Sequence, residues 1–600
     1  MKTNIYDVAI CGAGLAGLTL ARQLKQTLPN LSIILLDRLA RPLPEATHKV
    51  GESTLSVGTY YLANVLGLQD YLDKCHLPKL GLRYFFGNTQ GAFAERPELG
   101  QSEFFQRSHP YQLDRGRLEN DLRQFNIDMG IELLEHCSVK DIELSKTPEI
   151  PHQITYTQAD KKNKTIQALW VIDALGRRRL LQNKLGLAKP NNPRYNAIWF
   201  RLKGFVDVSD FVPVSNYQWH DRVPHNNRYY STNHLCGDGY WVWLIPLSSG
   251  YTSIGIVADE EIHPFSSYHT YDLAYQWLEK HEPVLALHLR EKQPADFKKM
   301  PRYSYSSQQV FSSNRWACVG EAGVFTDPFH SSGTDLIALA NCLTTQMIEL
   351  DLKAQLTGKA VEDMNHFFLT YRDRVTHRIQ SYYSCFTNEV VVALKYIWDI
   401  MTAWAFNSPL MYGSLLLDDH KRALLNQFYE HFSPLEERVQ QLFLDWTKQS
   451  LQRVTYDYVD YTQIAFMNQH RGRNFARQNT EQELIERQFA NLELFEEFAQ
   501  AIFLVAIADT MPEYLPRVTA TGWLNAWAIS LEPSKWETEG LFSPSTQPRN
   551  IHHVTEPLNH ILQIKESIFK PFTYEQENSF VKVNTSFAQT CSQVPAGLRS

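Results

Sequence analysis

The segment Gly12-Ala13-Gly14-Leu15-Ala16-Gly17 follows an apolar run and opens a helical one, and Asp37 stands about 20 residues further on. Glycines in this pattern let the backbone turn tightly and approach a pyrophosphate, which then rests on the positive end of the next helix. An acid at that distance accepts a ribose hydroxyl. The pattern predicts dinucleotide binding, and the loop alone leaves NAD and FAD both open. A second group lies at Asp327-Pro328-Phe329-His330-Ser331-Ser332-Gly333-Thr334-Asp335, before the apolar run Leu336 to Leu343. Amides at such a loop-to-helix junction receive anions. His330, with an ordinary pKa near 6.5, has two roles open to it, a base or a packing ring. Trp241 and Trp243 alternate with Val242 and Leu244, the pattern of a strand with one aromatic face, which is open to a plain reading as core. His552, Glu556 and His560 have metal-like helical spacing, but Pro557 predicts a break in the helix that would align them, so no metal site is expected.

The elements that must position these residues are legible. Ile5 to Ile10 reads as a strand, Leu18 to Leu28 as a helix and Ser32 to Leu36 as a second strand, a complete βαβ unit. Residues 190–300 are rich in aromatic and β-branched residues, with strand-like stretches such as Ala197 to Phe200 and Thr252 to Val257, and predict a sheet. From about 381 the patterns are long and helical, notably Leu415 to Gln449 and Glu481 to Ala508. After Tyr574 the chain is polar and reads as a flexible tail.

Composition bounds the function. The 600 residues are 44% hydrophobic and 20% charged, an ordinary folded chain. A net charge of −7 has the wrong sign for a protein that coats nucleic acid. Eight cysteines without CxxC or CxxH spacing suggest neither zinc nor a disulfide framework, and a reducing cytoplasm fits them best. The apolar runs Val390 to Phe406 and Ile502 to Ala508 are interrupted by charge or too short, so no transmembrane segment or export signal is expected.

Three further segments carry a resemblance. Asp114-Arg115-Gly116-Arg117-Leu118, Asp173-Ala174-Leu175-Gly176-Arg177 and Gly320-Glu321-Ala322-Gly323-Val324-Phe325-Thr326-Asp327-Pro328 are similar to segments of FAD monooxygenases of the hydroxybenzoate-hydroxylase type. Trp241-Val242-Trp243-Leu244-Ile245-Pro246 matches the WxWxIP signature of flavin-dependent halogenases. Gly51-Glu52-Ser53-Thr54 resembles that family's GEAT or GES segment, and Lys79 falls where the family's essential lysine stands, with Arg83 in place of a second one. The resemblance covers roughly residues 1–380.

It implies an α/β fold: a Rossmann-type FAD-binding domain of the hydroxybenzoate-hydroxylase type (1–190 and 300–380) with an interleaved substrate-side sheet (190–300); the C-terminal, mostly helical extension (381–575) is open to two readings, a cap over the substrate entrance or a purely structural or dimer-forming unit, and 576–600 reads as a flexible tail. FAD would be held by Gly12, Ala13, Gly14, Gly17, Asp37, Arg117, Glu321, Asp327 and Thr334, Glu321 replacing the family's aspartate. Arg117 is open to a second reading, a solvated helix-start arginine. The implied reaction uses FADH2 from a separate flavin reductase, molecular oxygen and chloride or bromide. A flavin hydroperoxide oxidises halide, and Lys79 guides the resulting hypohalous acid to an electron-rich ring, by hydrogen bonding or as a haloamine. Ser332 and Gly333 fall on the halide-binding amides, and Trp241 and Trp243 on the residues that shield the flavin from substrate. His330 replaces the glutamate of tryptophan-specific members, which points to phenol or pyrrole substrates, free or carried on a carrier protein. Two other readings stand beside this one: a monooxygenase that hydroxylates directly, and an inactive flavoprotein serving as a binding partner.

Overall fold

The computed structural model describes residues 5–44, 50–105, 109–147, 149–158, 161–190, 194–477 and 480–562. The expected tail lies outside them. The predicted βαβ unit is present as strand Ile5–Cys11, helix Leu15–Thr27 and strand Ile33–Leu36. The two strands pair in parallel, and Ile5–Cys11 also pairs in parallel with the long strand Asn163–Asp173. Trp316–Cys318 and Glu132–Leu134 extend this sheet on either side. The central segments, Val8 to Cys11, Ile33 to Leu36 and Trp170 to Ile172, are buried apolar runs without alternation, as expected of strands covered on both faces.

The second sheet runs in the order Pro294–Met300, Tyr195–Lys203, Tyr251–Asp259, Tyr240–Pro246, Thr232–Gly237, Leu82–Phe85, Glu98–Leu99, Tyr458–Val459. Five of these strands lie within 190–300; the others come from the N-terminal part and from the helical C-terminal part. Alternation along Tyr240–Pro246 sorts its side chains as expected. Trp241, Trp243 and Ile245 join the large core shared with the first sheet, whereas Tyr240, Val242 and Leu244 pack with Trp219 and Trp277 on the other face. The aromatic face also requires Gly255 on the neighbouring strand, because a Cβ there would lie 2.2 Å from the Trp243 ring.

Helix Gly333–Leu352 packs against Leu15–Thr27 and Ser56–Tyr60. Asn341 fixes the first contact, donating to Ala16 O (3.1 Å), Thr19 Oγ1 (3.0 Å) and Tyr61 OH (3.0 Å). Beyond residue 381 the long helices are Glu389–Phe406, Asp419–Gln449 and Glu481–Thr510. The last opens with a reciprocal capping box between Thr480 and Glu483. Lys395 and Asp399, the charges that interrupt Glu389–Phe406, pair at 3.0 Å on one buried face. Among the described residues no helix is long and apolar enough to cross a membrane.

Pro557 does not break its helix, contrary to expectation: His552–Leu562 runs through it. The proline removes one bond, that to the His553 carbonyl in the first turn, where little helix is lost. His552 faces Glu556 at 3.9 Å, and among the described residues no group of His, Cys, Asp and Glu is arranged to hold a metal.

Candidate active site

The three glycines of the loop do different work. A Cβ on Gly12, whose φ is +112°, would sit 2.2 Å from Ala174 O, and one on Gly17 would sit 2.0 Å from Gly12 O, so the chain itself needs both. Gly14 is extended (φ −85°, ψ −175°) and its Cβ would meet nothing within 4 Å. The space beside Gly14 belongs to a cavity of about 610 Å3 lined also by Gly12, Asp37, Arg115 and Glu321, at the amide end of helix Leu15–Thr27. The room at Gly14, the open amide end and the acid together fit a dinucleotide.

Asp37 is held in place at the wall of this cavity. Its Oδ2 accepts from Ala13 N (2.8 Å) and Arg123 Nη2 (2.9 Å), and its Oδ1 accepts from Leu39 N (2.9 Å), which leaves acceptor capacity on Oδ1 for a hydroxyl. Arg123, which sequence reasoning missed, is buried and also ties Ala13 O at 3.0 Å.

A second cavity continues from the first and shares Val50, Arg115, Gly320, Glu321 and Ile337 with it. Trp241, Trp243, Glu52, Asp327, Gly333 and Thr334 complete its wall. Glu321 thus stands at the junction, facing Arg177 at 3.8 Å. Arg117 is elsewhere. It lines neither cavity and reaches Cys75 O (3.3 Å) and Ser248 Oγ (3.2 Å), because two residues along a helix turn the side chain to the other face. Arg115 takes the cavity position, with Nη1 on Val50 O (2.7 Å) and Nη2 on Glu119 (2.6 Å). Arg115→Met is therefore expected to weaken FAD binding roughly tenfold or more, from loss of a charged hydrogen bond, and Arg117→Met to change it less than about threefold. Equilibrium fluorescence titration with FAD checks both.

Asp327 lines the second cavity, but its oxygens face protein donors. Oδ2 accepts from Tyr303 OH (2.6 Å) and Tyr383 OH (2.7 Å), and Oδ1 from Phe329 N (2.9 Å). These contacts also give Asp327 a positioning role: Trp241 Nε1 donates to Tyr383 OH (2.9 Å), so the carboxylate orients the indole through a tyrosine. Burial pushes the Asp327 carboxyl up and the two phenols oppose the shift. Nothing in the sequence marks Tyr303 or Tyr383.

The loop 327–335 has two sides. Asp327, Pro328, Ser331, Gly333 and Thr334 face the second cavity, while His330, Ser332 and Asp335 face a third, of about 140 Å3, that contains Lys79. Ser331 permits the reversal by adopting a left-handed conformation, φ +59°. Phe329 fills the partition, its ring 5.2 Å from Trp241 on one side and 4.9 Å from His330 on the other. A Cβ on Gly333 would meet nothing within 4 Å, and the first amides of helix Gly333–Leu352 have no intrahelical acceptor. Ser332 and Gly333 therefore stand at a boundary where an anion can sit.

Lys79 is buried, not at the surface as a lysine after Pro78 would ordinarily be. The short strand Leu77–Pro78 pairs with Tyr111–Gln112 and carries it inward. Its Nζ donates to Thr54 O (2.9 Å), within the Gly51 to Thr54 segment. Burial drives its pKa down to about 7, partly opposed by the Asp335 carboxylate. Asp335 is in turn pushed up to about 7 by burial, while Gly58 N holds its Oδ1 at 2.7 Å. Asp335 lay in a segment that the sequence singled out; only the geometry shows that its side chain turns toward the lysine. Arg83 lines none of these cavities: its guanidinium is buried against Glu98 and anchors the strand Leu82–Phe85.

His330 is packed among Phe329, Tyr382 and Tyr396, and its buried Nε2 has no hydrogen-bond partner among the described residues. Burial, then Lys395, His234 and Arg378, holds its pKa well below the ordinary range. An imidazole so depressed is a weaker base than its ordinary pKa near 6.5 implies. The helical region supplies Tyr396, Asp399, Trp404, Tyr461 and Arg471 to the same cavity. Their sequence pattern shows only helices.

A family model described as tryptophan halogenase matches residues 85–389. A flavin-dependent halogenase, chlA, of Dictyostelium discoideum is 26% identical over 511 residues, covering 79% of this chain and 80% of that protein. A 1H-pyrrole-2-carbonyl peptidyl-carrier-protein chlorinase of Pseudomonas fluorescens is 26% identical over 355 residues, 56% of this chain and 74% of that one. The crystal structure of the halogenase PltM superposes with a TM-score of 0.59 at 17% identity, over 81% of this chain and 97% of PltM, and shows the shared fold. The matched segment spans half of the sequence and contains the tryptophan strand and the two-sided loop; the chain belongs to the tryptophan halogenase family of flavin-dependent, FAD-using oxidoreductases.

Proposed function

We propose that this protein chlorinates or brominates a phenol or pyrrole, free or tethered to a carrier protein, using FADH2 from a separate reductase and molecular oxygen in a reducing cytoplasm. The observation that carries the reading is the loop 327–335, one side in the cavity continuous with the dinucleotide site and the other in the cavity of Lys79. A cavity of about 140 Å3 is close to the ~150 Å3 that accommodates benzene, which favours a single aromatic ring. The pyrrole-carrier chlorinase among the relatives supports the tethered form. The seven described cysteines are free thiols, which fits the compartment. The helices beyond 381 act as a cap, since Tyr396, Trp404 and Arg471 face the Lys79 cavity.

Gly12, Ala13, Gly14, Gly17, Asp37, Arg115, Glu321 and Thr334 would hold FAD. When bound and reduced, it supplies with oxygen the oxidising power that converts halide to hypohalous acid. The chain's own residues govern the path of halide and oxidant. Amides at Ser332 and Gly333 hold the halide, and Trp241, Trp243 and Phe329 close the partition to a ring while a two-atom oxidant passes. The neutral Lys79 amine attacks the halogen; the oxygen leaves as hydroxide, takes the amine proton and becomes water. The N–halogen bond then delivers halogen to the ring carbon, which loses its proton, and nitrogen regains one. The unpartnered His330 Nε2 receives a hydrogen bond from the substrate's hydroxyl or ring N–H, orienting the ring without abstracting its proton.

Because the amine form acts, its population must rise as pH increases through about 7. Halogenation under constant oxidant supply is expected to increase severalfold between pH 6 and 8 as the coupled Lys79 and Asp335 pair deprotonates; a flat profile sinks the amine step. The reading as a whole is tested with purified protein, FAD, a reductase, NADH, oxygen and a panel of phenols, pyrroles and indoles, with and without halide. Halogen isotope patterns that require halide support it. Oxygen insertion regardless of halide favours a hydroxylating monooxygenase, and absence of both FAD binding and turnover favours the inactive partner.

A further inference from the structure

Residues of the helices Gly358–Gln380, Glu389–Phe406, Ser408–Met411 and Asp419–Gln449 line a small cavity; Arg374, Arg378 and Arg422 are among them, and no Asp or Glu is among its described lining residues. Its volume of about 20 Å3 admits one body the size of a water or a monatomic ion. It shares Tyr371, Val375, Arg378 and Asn407 with the Lys79 cavity, so the two are neighbours.

The nearby carboxylates are committed. Arg378 donates through Nε and Nη2 to Glu436 Oε1 at 2.9 and 2.7 Å, and the other Glu436 oxygen accepts from Tyr429 OH. Asp419 accepts from Arg422 Nη2 (2.6 Å), and Glu430 from Asn426 Nδ2 (2.8 Å). Arg374 differs from its two neighbours. Its guanidinium lies 3.5 Å from the Tyr429 ring centroid, and its Nη2 donates to Asn426 Oδ1 at 2.9 Å, both neutral partners. Desolvation lowers its pKa, the mark of a cation that burial disfavours. Arg378 is paired with Glu436 and faces Asp399 at 3.8 Å, and Arg422 is paired with Asp419, so the positive charge left for an anion in this space is that of Arg374, and a volume of about 20 Å3 suits a small one.

We propose that this cavity binds a single halide ion through Arg374, with Arg378 and Arg422 beside it, next to the cavity in which the halogen is consumed. Only the ion's identity rests on the halogenation reading; the site itself rests on the arginines.

Bromide-soaked crystals of the FAD-loaded protein, measured at the bromine edge, are expected to show an anomalous peak among the three arginines, separate from any at Ser332 and Gly333. In solution, chloride-35 line broadening by the same holoprotein is expected to fall by about half in Arg374→Gln and to persist in Arg374→Lys, which keeps the charge. A peak at Ser332 and Gly333 with none at the arginines overturns the proposal and leaves the halogenation reading intact. A peak in the crystal with line broadening unchanged in Arg374→Gln is binding at crystal concentration only, and also overturns it. The anomalous map needs no variant, so the test survives if Arg374→Gln fails to fold.

Discussion

Lys79→Met is expected to lower the rate of halogenated product roughly 10³-fold, the scale for removing a directly acting group, while FAD affinity and hydrogen peroxide release persist. The separation follows from geometry: Lys79 lies in the third cavity, across the Phe329 partition from the dinucleotide site. Methionine keeps the length of the stem and removes a cation whose burial is unfavourable, as its pKa near 7 records, so thermal stability should not fall. Mass spectrometry of products, FAD titration and a melting curve on one preparation separate the outcomes. Retained halogenation would rule Lys79 out as the carrier of the oxidant; lost FAD binding would show that the two cavities are not independent.

Gly14→Val is expected to abolish FAD binding, raising Kd by 10²-fold or more, in a protein that still folds. The position is extended, a conformation valine favours, and nothing in the chain lies within 4 Å of the added Cβ. The collision falls on the ligand alone. Gly12→Ala makes the contrast, because its Cβ meets the Ala174 carbonyl and the fold itself should suffer. Circular dichroism with FAD titration distinguishes them, and an unchanged Kd in Gly14→Val would falsify the assignment of this loop to the dinucleotide.

How much of this was legible depends on whether a residue's role is local. Gly12, Gly14 and Asp37 act through one βαβ unit of continuous sequence, and the pattern of turn, helix and acid reveals them. Trp241 and Trp243 are legible because strand alternation fixes which face they share. Which of Arg115 and Arg117 faces the cavity is not legible, because a motif gives spacing but not the rotation of its helix. The contacts of Asp327 with Tyr303 and Tyr383 are not legible because those residues lie 24 and 56 positions away in segments whose own pattern marks no site. His330 carries a solution pKa in the sequence, whereas its environment comes from four separate segments that sequence does not bring together. The cap's contribution, Tyr396, Trp404 and Arg471, belongs to the same class: side chains that converge only in the folded chain.

The pairing of Tyr458–Val459 with Glu98–Leu99 also bears on how the protein is made. Tyr458 bonds Gly100 across 358 residues of sequence, so the edge of the second sheet stays open until most of the chain has been synthesised. At about 5–20 residues per second this interval is roughly 20–70 s, during which Glu98–Leu99 presents unpaired backbone donors and acceptors. Expression yield, rather than chemistry, is then the property most exposed to C-terminal truncation. A chain ending before Tyr458 would leave the ribosome with a permanent edge and be drawn toward aggregation or chaperone capture, even with every residue assigned to FAD and halide in place.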